Sequence, residues 1–246
     1  MIPAIITHIE YSPSKEVALV TCKPQAVFPF KEWQFMMISS SHIHSELWKP
    51  LKKPYSIATT NEQLQTDWTI WFVVKKVRDG FMSDYLTRQA IVWDILYLQW
   101  PVWHMVDKNI SGRYLLISTW SGLSPITSLY TALRKNPQNK IANLFGERYH
   151  AHVLPSVEKL FSENTDHIYH QLFLSKQEWL SSSWIQPKSA KYSLWRMQGW
   201  LDNALAFLWT TDISVFICGK PEMVDDVRKI LTEKWVDTSR IQFEKY

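Results

Sequence analysis

A change of hydrophobic rhythm within one short stretch limits this chain more than any other feature. Tyr114-Leu115-Leu116-Ile117 is an apolar run that ends in small polar residues, and Ile126, Leu129, Tyr130 and Leu133 then recur at i, i+3, i+4 and i+7. A buried strand that passes through a tight turn into an amphipathic helix is the opening unit of an α/β domain. Ser124 is placed to cap that helix and Pro125 to take its first position. At the carboxyl end of a parallel strand, such a turn aims a helix N-terminus and several backbone N–H groups at one point, where a phosphate is stabilised. An ordinary strand-to-helix connection has the same pattern, so the stretch alone leaves both readings open.

The rest of the chain divides around this unit. Residues 1–108 carry short β-branched or aromatic runs at 4–10, 17–22, 34–39, 55–59, 68–77 and 95–98, separated by polar turns, which predicts a small antiparallel barrel. One helix interrupts it near 82–88. Residues 109–246 alternate strand and helix. Strands are expected after Ser111 and at 140–146, 167–175, 213–218 and 241–246. Helix faces are formed by Val153, Leu154, Val157, Leu160 and Phe161, by residues 201–208, and by Met223, Val227, Ile230 and Leu231. This predicts a five-stranded parallel sheet with helices on both faces, following the barrel.

Charge and composition exclude several function classes. A net charge of +4 with no block of one sign is too mild to argue for nucleic acid, though it suits an acidic protein partner. The longest apolar run, 95–106, is broken by Gln99, Pro101 and His104 and is too short to span a bilayer, and no signal segment opens the chain, so a cytoplasmic protein is expected. Cys22 and Cys218 are far apart, so neither a zinc ribbon nor a cysteine-ligated iron–sulfur cluster is expected within this chain. The His42/His44 and His150/His152 pairs lack an acidic or cysteine cluster, and no metal site is expected.

Four local motifs, in order, resemble the ferredoxin–NADP reductase superfamily, in which a flavin-binding barrel precedes a nicotinamide-nucleotide domain. Lys53-Pro54-Tyr55-Ser56 is similar to its Arg-x-Tyr-Ser/Thr flavin motif. Gly80-Phe81-Met82-Ser83 resembles its Gly-x-x-Ser at the flavin phosphates. Thr119-Trp120-Ser121-Gly122-Leu123-Ser124-Pro125 resembles its Gly-x-Gly-x-x-Pro at the nucleotide pyrophosphate, and Cys218-Gly219-Lys220-Pro221-Glu222-Met223 its Cys-Gly-x-Pro-x-Met.

The resemblance implies FAD, with NADP or NAD as the second nucleotide. It places Tyr55 on the flavin ring, Ser56 near the nitrogen that receives hydride, Cys218 against the nicotinamide, and Val73 and Lys75 on the flavin's phosphate and adenosine side. Lys53, where the family has Arg, neutralises a phosphate without binding it in a bidentate way. Ser175, Lys176 and Arg196 fall where related enzymes hold the 2′-phosphate of NADP, and Tyr246 where a terminal aromatic covers the flavin. The implied activity is electron transfer between the nicotinamide nucleotide and a separate ferredoxin or flavodoxin. Alternatives are the reductase component of an oxygenase or multisubunit complex, and a family member without activity that serves as a binding subunit.

One count is out of line: the chain has 14 Trp and 6 Gly. Trp120 stands at the first glycine of the pyrophosphate turn, Trp100 and Trp103 at the two glycines of a Gly-Pro-x-Gly, and Trp33, Trp93, Trp195, Trp235 and Trp48 likewise where relatives have glycine. Drift does not send glycine repeatedly to one bulky residue. A gene that uses UGA for glycine, read with UGA as Trp, would produce this pattern. It predicts that several of these tryptophans, Trp120, Trp100 and Trp103 first, adopt backbone conformations that suit glycine or crowd the cofactor groove.

Overall fold

The computed structural model describes residues 1–44, 50–102, 112–176, 192–193 and 200–246. The six apolar runs of the first part are strands β1 (Ile2–Tyr11), β2 (Val17–Pro24), β3 (Phe35–Ser40), β4 (Lys53–Ser56), β5 (Ile70–Lys75) and β6 (Ile95–Leu98). They pair antiparallel in the order β4-β3-β6-β1-β2-β5. The Ala58 N–H donates to the Trp71 carbonyl at 2.8 Å, which draws the two edges together into a nearly closed barrel. Alternation along the strands sends Ala4 and Ile6, Ala18, Val20 and Cys22, and Ile70, Phe72 and Val74 into one interior.

Helix α1 (Asn61–Asp67) follows β4, although no apolar periodicity announces it. Its signal is a capping box. Thr60 Oγ1 accepts from the Gln63 N–H at 3.1 Å, and the Gln63 side chain accepts from the Thr60 N–H at 2.9 Å. Helix α2 (Phe81–Asp84), continued by a π-type turn over Tyr85–Gln89, occupies the helical stretch expected near 82–88.

The second sheet is parallel throughout: β7 (Arg113–Thr119), β8 (Lys140–Glu147), β9 (Ile168–Leu174), β11 (Ser214–Gly219) and β12 (Ile241–Lys245) are the five expected strands, and the two-residue β10 (Tyr192–Ser193) extends one edge. The order is β10-β9-β8-β7-β11-β12. Helices α5 (Leu201–Leu208) and α6 (Pro221–Glu233) pack on one face through Leu115, Ile117, Val215 and Ile217. Helix α3 (Leu123–Leu133) packs on the other through Tyr114, Leu116 and Phe216, and α4 (Pro155–Phe161) through Phe145 and Leu172. The expected boundary at 108/109 lies outside the described residues.

Two sequence expectations require correction. Ser124 does not cap α3. The helix begins at Leu123 after a 3-10 turn over Trp120–Gly122, with no side-chain cap, so Pro125 is its third residue. Instead, the buried Ser124 hydroxyl accepts the Val73 N–H from β5 at 2.8 Å, a tertiary partner that local pattern cannot reveal. Trp100 has no glycine-like backbone either; its ring stands edge-on to Phe28 at 5.9 Å. Trp33, Trp93, Trp120 and Trp235 do have positive φ, at 77°, 85°, 57° and 63°. Each such L-residue costs roughly 1–2 kcal/mol. Trp48, Trp103 and Trp195 lie outside the described residues.

The barrel and the parallel sheet share one apolar cluster, in which Val17, Ala58 and Val73 meet Leu123, Phe145, Val153 and Leu154. Beside it, the Lys75 ammonium donates to both oxygens of Glu147 at 2.7 Å, with both side chains almost fully buried. Burial works against the Glu147 carboxylate, but its contact at 3.3 Å with His152 and the Lys75 ammonium outweigh this and hold it below the usual carboxylate range. Burial also pulls Lys75 down, and Glu147 only partly restores it. The pair is therefore favourable for the acid and costly for the base, and it fixes the angle between the sheets more than it adds net stability.

Glu147→Gln leaves a buried ammonium without its counter-charge and should destabilise the protein by about 3 kcal/mol in urea unfolding, whereas Lys75→Met with Glu147→Leu should retain most of the stability. A carboxylate held low contributes stability above its unfolded value, lost as pH falls through the folded one. Wild-type stability should thus decline below about pH 4.5 more steeply than that of Glu147→Gln.

Candidate functional site

Two clefts open where the parallel sheet meets the barrel, one walled by the barrel and the end of β12, the other by the carboxyl ends of β7, β8, β9 and β11. The barrel-side cleft has a volume of about 570 Å³. Strand β4 contributes Lys53, Pro54, Tyr55 and Ser56 to its wall, β5 contributes Val73 and Lys75, and the turn into α2 contributes Gly80, Met82 and Ser83. The end of β12 closes it with Glu244, Lys245 and Tyr246. All ten residues that the first two motifs, β5 and the chain's last aromatic contribute to the expected flavin site line this one space. The Ser83 hydroxyl is held by its own loop, donating to the Gly80 carbonyl at 2.8 Å and accepting from the Val77 N–H at 3.1 Å. A side chain at Gly80 would press on Ser83 Oγ, so the turn needs its glycine.

The sheet-side cleft, of about 410 Å³, is walled by Thr119 and Trp120 after β7, Glu147 and Arg148 after β8, Ser175 and Lys176 after β9, and Lys220 and Met223 after β11. Thr119, Trp120, Ser175, Lys176 and Met223 were expected here. Arg196 lies outside the described residues. Arg148 and Lys220 were not singled out for this site from sequence. The signal for both was position, since each stands just past the carboxyl end of a strand beside the point where strand order reverses. Burial, with Arg148 nearby, pulls Lys220 down from its ordinary value.

Gly122, Ser124, Pro125 and Gly219 do not line either cleft but set its shape. A Cβ at Gly122 would overlap the Cys218 carbonyl, and one at Gly219, where φ is 151°, would overlap Thr119 Oγ1. The two motif turns are therefore packed backbone to backbone. Lys220 N–H donates to Thr119 Oγ1 at 3.3 Å across the same junction.

In the wall of the barrel-side cleft Ser56 and Tyr246 meet Cys218 of β11, which itself lines neither cleft. The Ser56 and Tyr246 hydroxyls share a short hydrogen bond, the Tyr246 phenol also interacts with the Cys218 thiol, and the Tyr246 N–H donates to the Gly219 carbonyl at 3.0 Å. Burial pushes the Cys218 thiol well above its usual value, so it is present as a neutral thiol. Lys75 lines the barrel-side cleft, but Glu147 holds its ammonium.

The histidine pairs belong to other contacts. His42 lies 3.6 Å from Asp94 and stacks on Tyr85, His150 pairs with Glu158, and His152 pairs with Glu147 at 3.3 Å. Among the described residues no helix is long and apolar enough to cross a membrane.

No family model matches the chain. It is 22% identical over 191 residues, 74% of its length, to the toluate 1,2-dioxygenase electron transfer component of Pseudomonas putida, covering 52% of that protein. The chain thus spans about half the length of the curated relatives it matches. Among solved structures, the ferredoxin reductase in carbazole 1,9a-dioxygenase superposes with a TM-score of 0.78 at 19% identity, over 99% of this chain and 68% of that one. A ferredoxin NADP+ reductase from Neisseria gonorrhoeae with bound FAD and NADP gives 0.76 at 15% identity, over 99% and 97%. An antiparallel barrel joined to a parallel sheet with helices on both faces, matched over nearly the whole chain, is the fold of the ferredoxin–NADP reductase-like flavin- and nicotinamide-binding proteins.

Proposed function

We propose that this chain is a flavin-dependent oxidoreductase that takes FAD in the barrel-side cleft and NADP or NAD in the sheet-side cleft, and passes electrons to a separate ferredoxin or flavodoxin in the cytoplasm. The observation that carries this reading is that the residues of the two flavin motifs line one cleft and the nucleotide-motif residues Thr119, Trp120 and Met223 line the other, the two clefts adjoining at the Lys75–Glu147 pair, one member of which stands in each wall. The residues suit the groups. A tyrosine face, a serine hydroxyl, a lysine and a glycine turn fit an aromatic ring with a phosphate tail, and Lys176, Arg148, Lys220, Ser175 and Thr119 fit a phosphorylated nucleotide. The Neisseria protein of the same fold holds FAD and NADP. Both cysteines are free thiols, in keeping with a reducing compartment.

A bound flavin supplies the exchange between hydride transfer and single-electron transfer. The chain positions it and excludes water. Tyr55 offers a stacking face, and burial pushes its phenol up, so the ring stays neutral. Ser56 offers a hydroxyl that shares a hydrogen bond with the Tyr246 hydroxyl. The Cys218 thiol, small and uncharged, lets a ring approach the end of β11 closely. Lys176 and Ser175 are placed to discriminate a 2′-phosphate from a hydroxyl. A second reading, the reductase component of an oxygenase, is favoured by the toluate dioxygenase relative, which is named as an electron transfer component.

Titration with FAD should produce flavin absorbance that remains with the protein on gel filtration, and a chain that stays colourless would overturn the assignment. Tyr55→Ala should weaken FAD binding roughly tenfold, while Ser56→Ala should retain FAD and slow its reduction by roughly tenfold to hundredfold. Lys176→Ala, measured in a Trp120→Gly background that opens the cleft, should raise KM for NADPH severalfold more than for NADH, because only NADPH carries the extra dianion.

A further inference from the structure

Among the described residues, eight other than glycine have positive φ: Lys15, Asp79 and six tryptophans, Trp33, Trp68, Trp93, Trp120, Trp209 and Trp235, with tryptophan φ between 51° and 85°. Chance placement of the described tryptophans would put fewer than one there. Glycine, the residue that adopts this conformation without strain, is nearly absent from it, since Gly219 at 151° is the single glycine with positive φ among the described residues. A bulky aromatic residue is among the least suited.

The six positions are of the kinds that glycine fills. Trp68 and Trp209 end α1 and α5, donating their N–H groups to the Leu64 and Leu205 carbonyls at 3.2 and 2.7 Å, and Trp235 follows α6, donating to Thr232 at 3.1 Å. A left-handed residue closing a helix in this way is usually glycine. Little burial repays the indoles there, for Trp68, Trp93, Trp209 and Trp235 are 42%, 76%, 72% and 88% exposed, although Lys140 and Arg113 lie over the Trp209 ring at 4.6 and 5.9 Å. The other two are inside. Trp33 is buried with its indole N–H unpartnered. Trp120 stands in the sheet-side cleft with three cations around its ring, Lys220 at 3.8 Å, Lys75 at 4.8 Å and Arg148 at 5.0 Å from the centroid. Lys220 and Arg148, beside the Lys75–Glu147 pair, form a surrounding for phosphate oxygens, and the indole fills the space those oxygens would take.

We infer that the six positive-φ tryptophans are encoded by UGA, that the cell's own code reads UGA as glycine, and that the working protein carries glycine at 33, 68, 93, 120, 209 and 235. UGA differs from the glycine codon GGA at one base. With glycine at these six positions the chain would hold 12 Gly in 246 residues, about 5%, closer than its present 6 Gly to the roughly 7% that glycine takes in ordinary proteins. The consequence for position 120 rests on the nucleotide-binding reading; the backbone argument at the other five does not. With glycine at 120, the space between Lys220, Arg148 and Lys75 opens to the backbone N–H groups ahead of α3, and a nucleotide pyrophosphate can enter it.

Reading the six codons decides the matter. UGA at all six is expected, so that the unaltered gene in a standard-code host yields a product ending before residue 33; UGG at these positions overturns the inference. As a second measurement, two recoded genes specify the chain with Trp or with Gly at all six. The glycine chain should melt roughly 10 °C or more higher. Trp71→Gly and Trp200→Gly, at positions without positive φ, should lower Tm instead. A glycine chain no more stable than the tryptophan chain, or an equal gain from Trp71→Gly, overturns the inference. Trp120→Gly alone should tighten NADPH binding at least roughly tenfold. UGA codons and a stabilised glycine chain that still fails to bind NADPH would refute the nucleotide reading and leave the recoding standing.

Discussion

The structure depends most on the backbone contact between two turns, Gly122 against Cys218 and Gly219 against Thr119. Strands β7 and β11 are neighbours in the sheet, yet the chain leaves β7 toward β8 and β9 on one side and returns to β11 and β12 on the other. Their following helices therefore diverge to opposite faces, which opens a crevice at their carboxyl ends. The crevice forms only if the turns leaving the strands can press together without side chains, and at both contacts the residue is glycine. Everything placed around the sheet-side cleft, including Arg148 from β8 and Lys176 from β9, takes its position from that junction.

Much of this was legible because it is local. Period-two runs gave the barrel strands, the switch to helical periodicity after Ile117 gave the α/β unit, and the order of four short motifs gave the clefts. What escaped was either long-range or mute in pattern. The ion pair of Lys75 with Glu147 joins residues 72 apart in the chain, and nothing near either residue announces the other. Ser124 read as a cap because a serine before a proline and an apolar face is the usual signal, but β5 claims its hydroxyl through Val73. Helix α1 carried a legible signal, the Thr60–Gln63 box, which an apolar count over so short a segment obscures.

Trp100 shows why glycine in relatives and glycine demanded by backbone are separate facts. Its place in a Gly-Pro-x-Gly-like segment suggested a glycine conformation, but the residue takes ordinary φ and rests on Phe28. Trp68 and Trp209 are the reverse case. No motif singled them out, and the backbone does, because the left-handed residue that ends a helix is set by the hydrogen bond to the preceding turn rather than by any ligand. A motif reports what a ligand needs, whereas φ reports what the chain needs, and at Trp120 the two requirements fall on the same residue.

The chain's last strand shows how the two sheets are joined for one task. Strand β12 pairs with β11 from Val215↔Ile241 through Gly219↔Lys245, so Tyr246 arrives one residue beyond the partner of Gly219 and two beyond that of Cys218. Its backbone is fixed to Gly219 while its ring reaches the barrel at Ser56. The ring is anchored at one end only: the residue is still half-exposed, and its side-chain partners are two small groups. A side chain held by its backbone on one sheet and by a single hydroxyl on the other can swing aside at the cost of one or two hydrogen bonds, roughly 1 kcal/mol each. The buried Lys75–Glu147 pair and the shared apolar cluster meanwhile keep the two sheets in register. Rigidity is thus concentrated behind the clefts, and freedom at the Tyr246 ring.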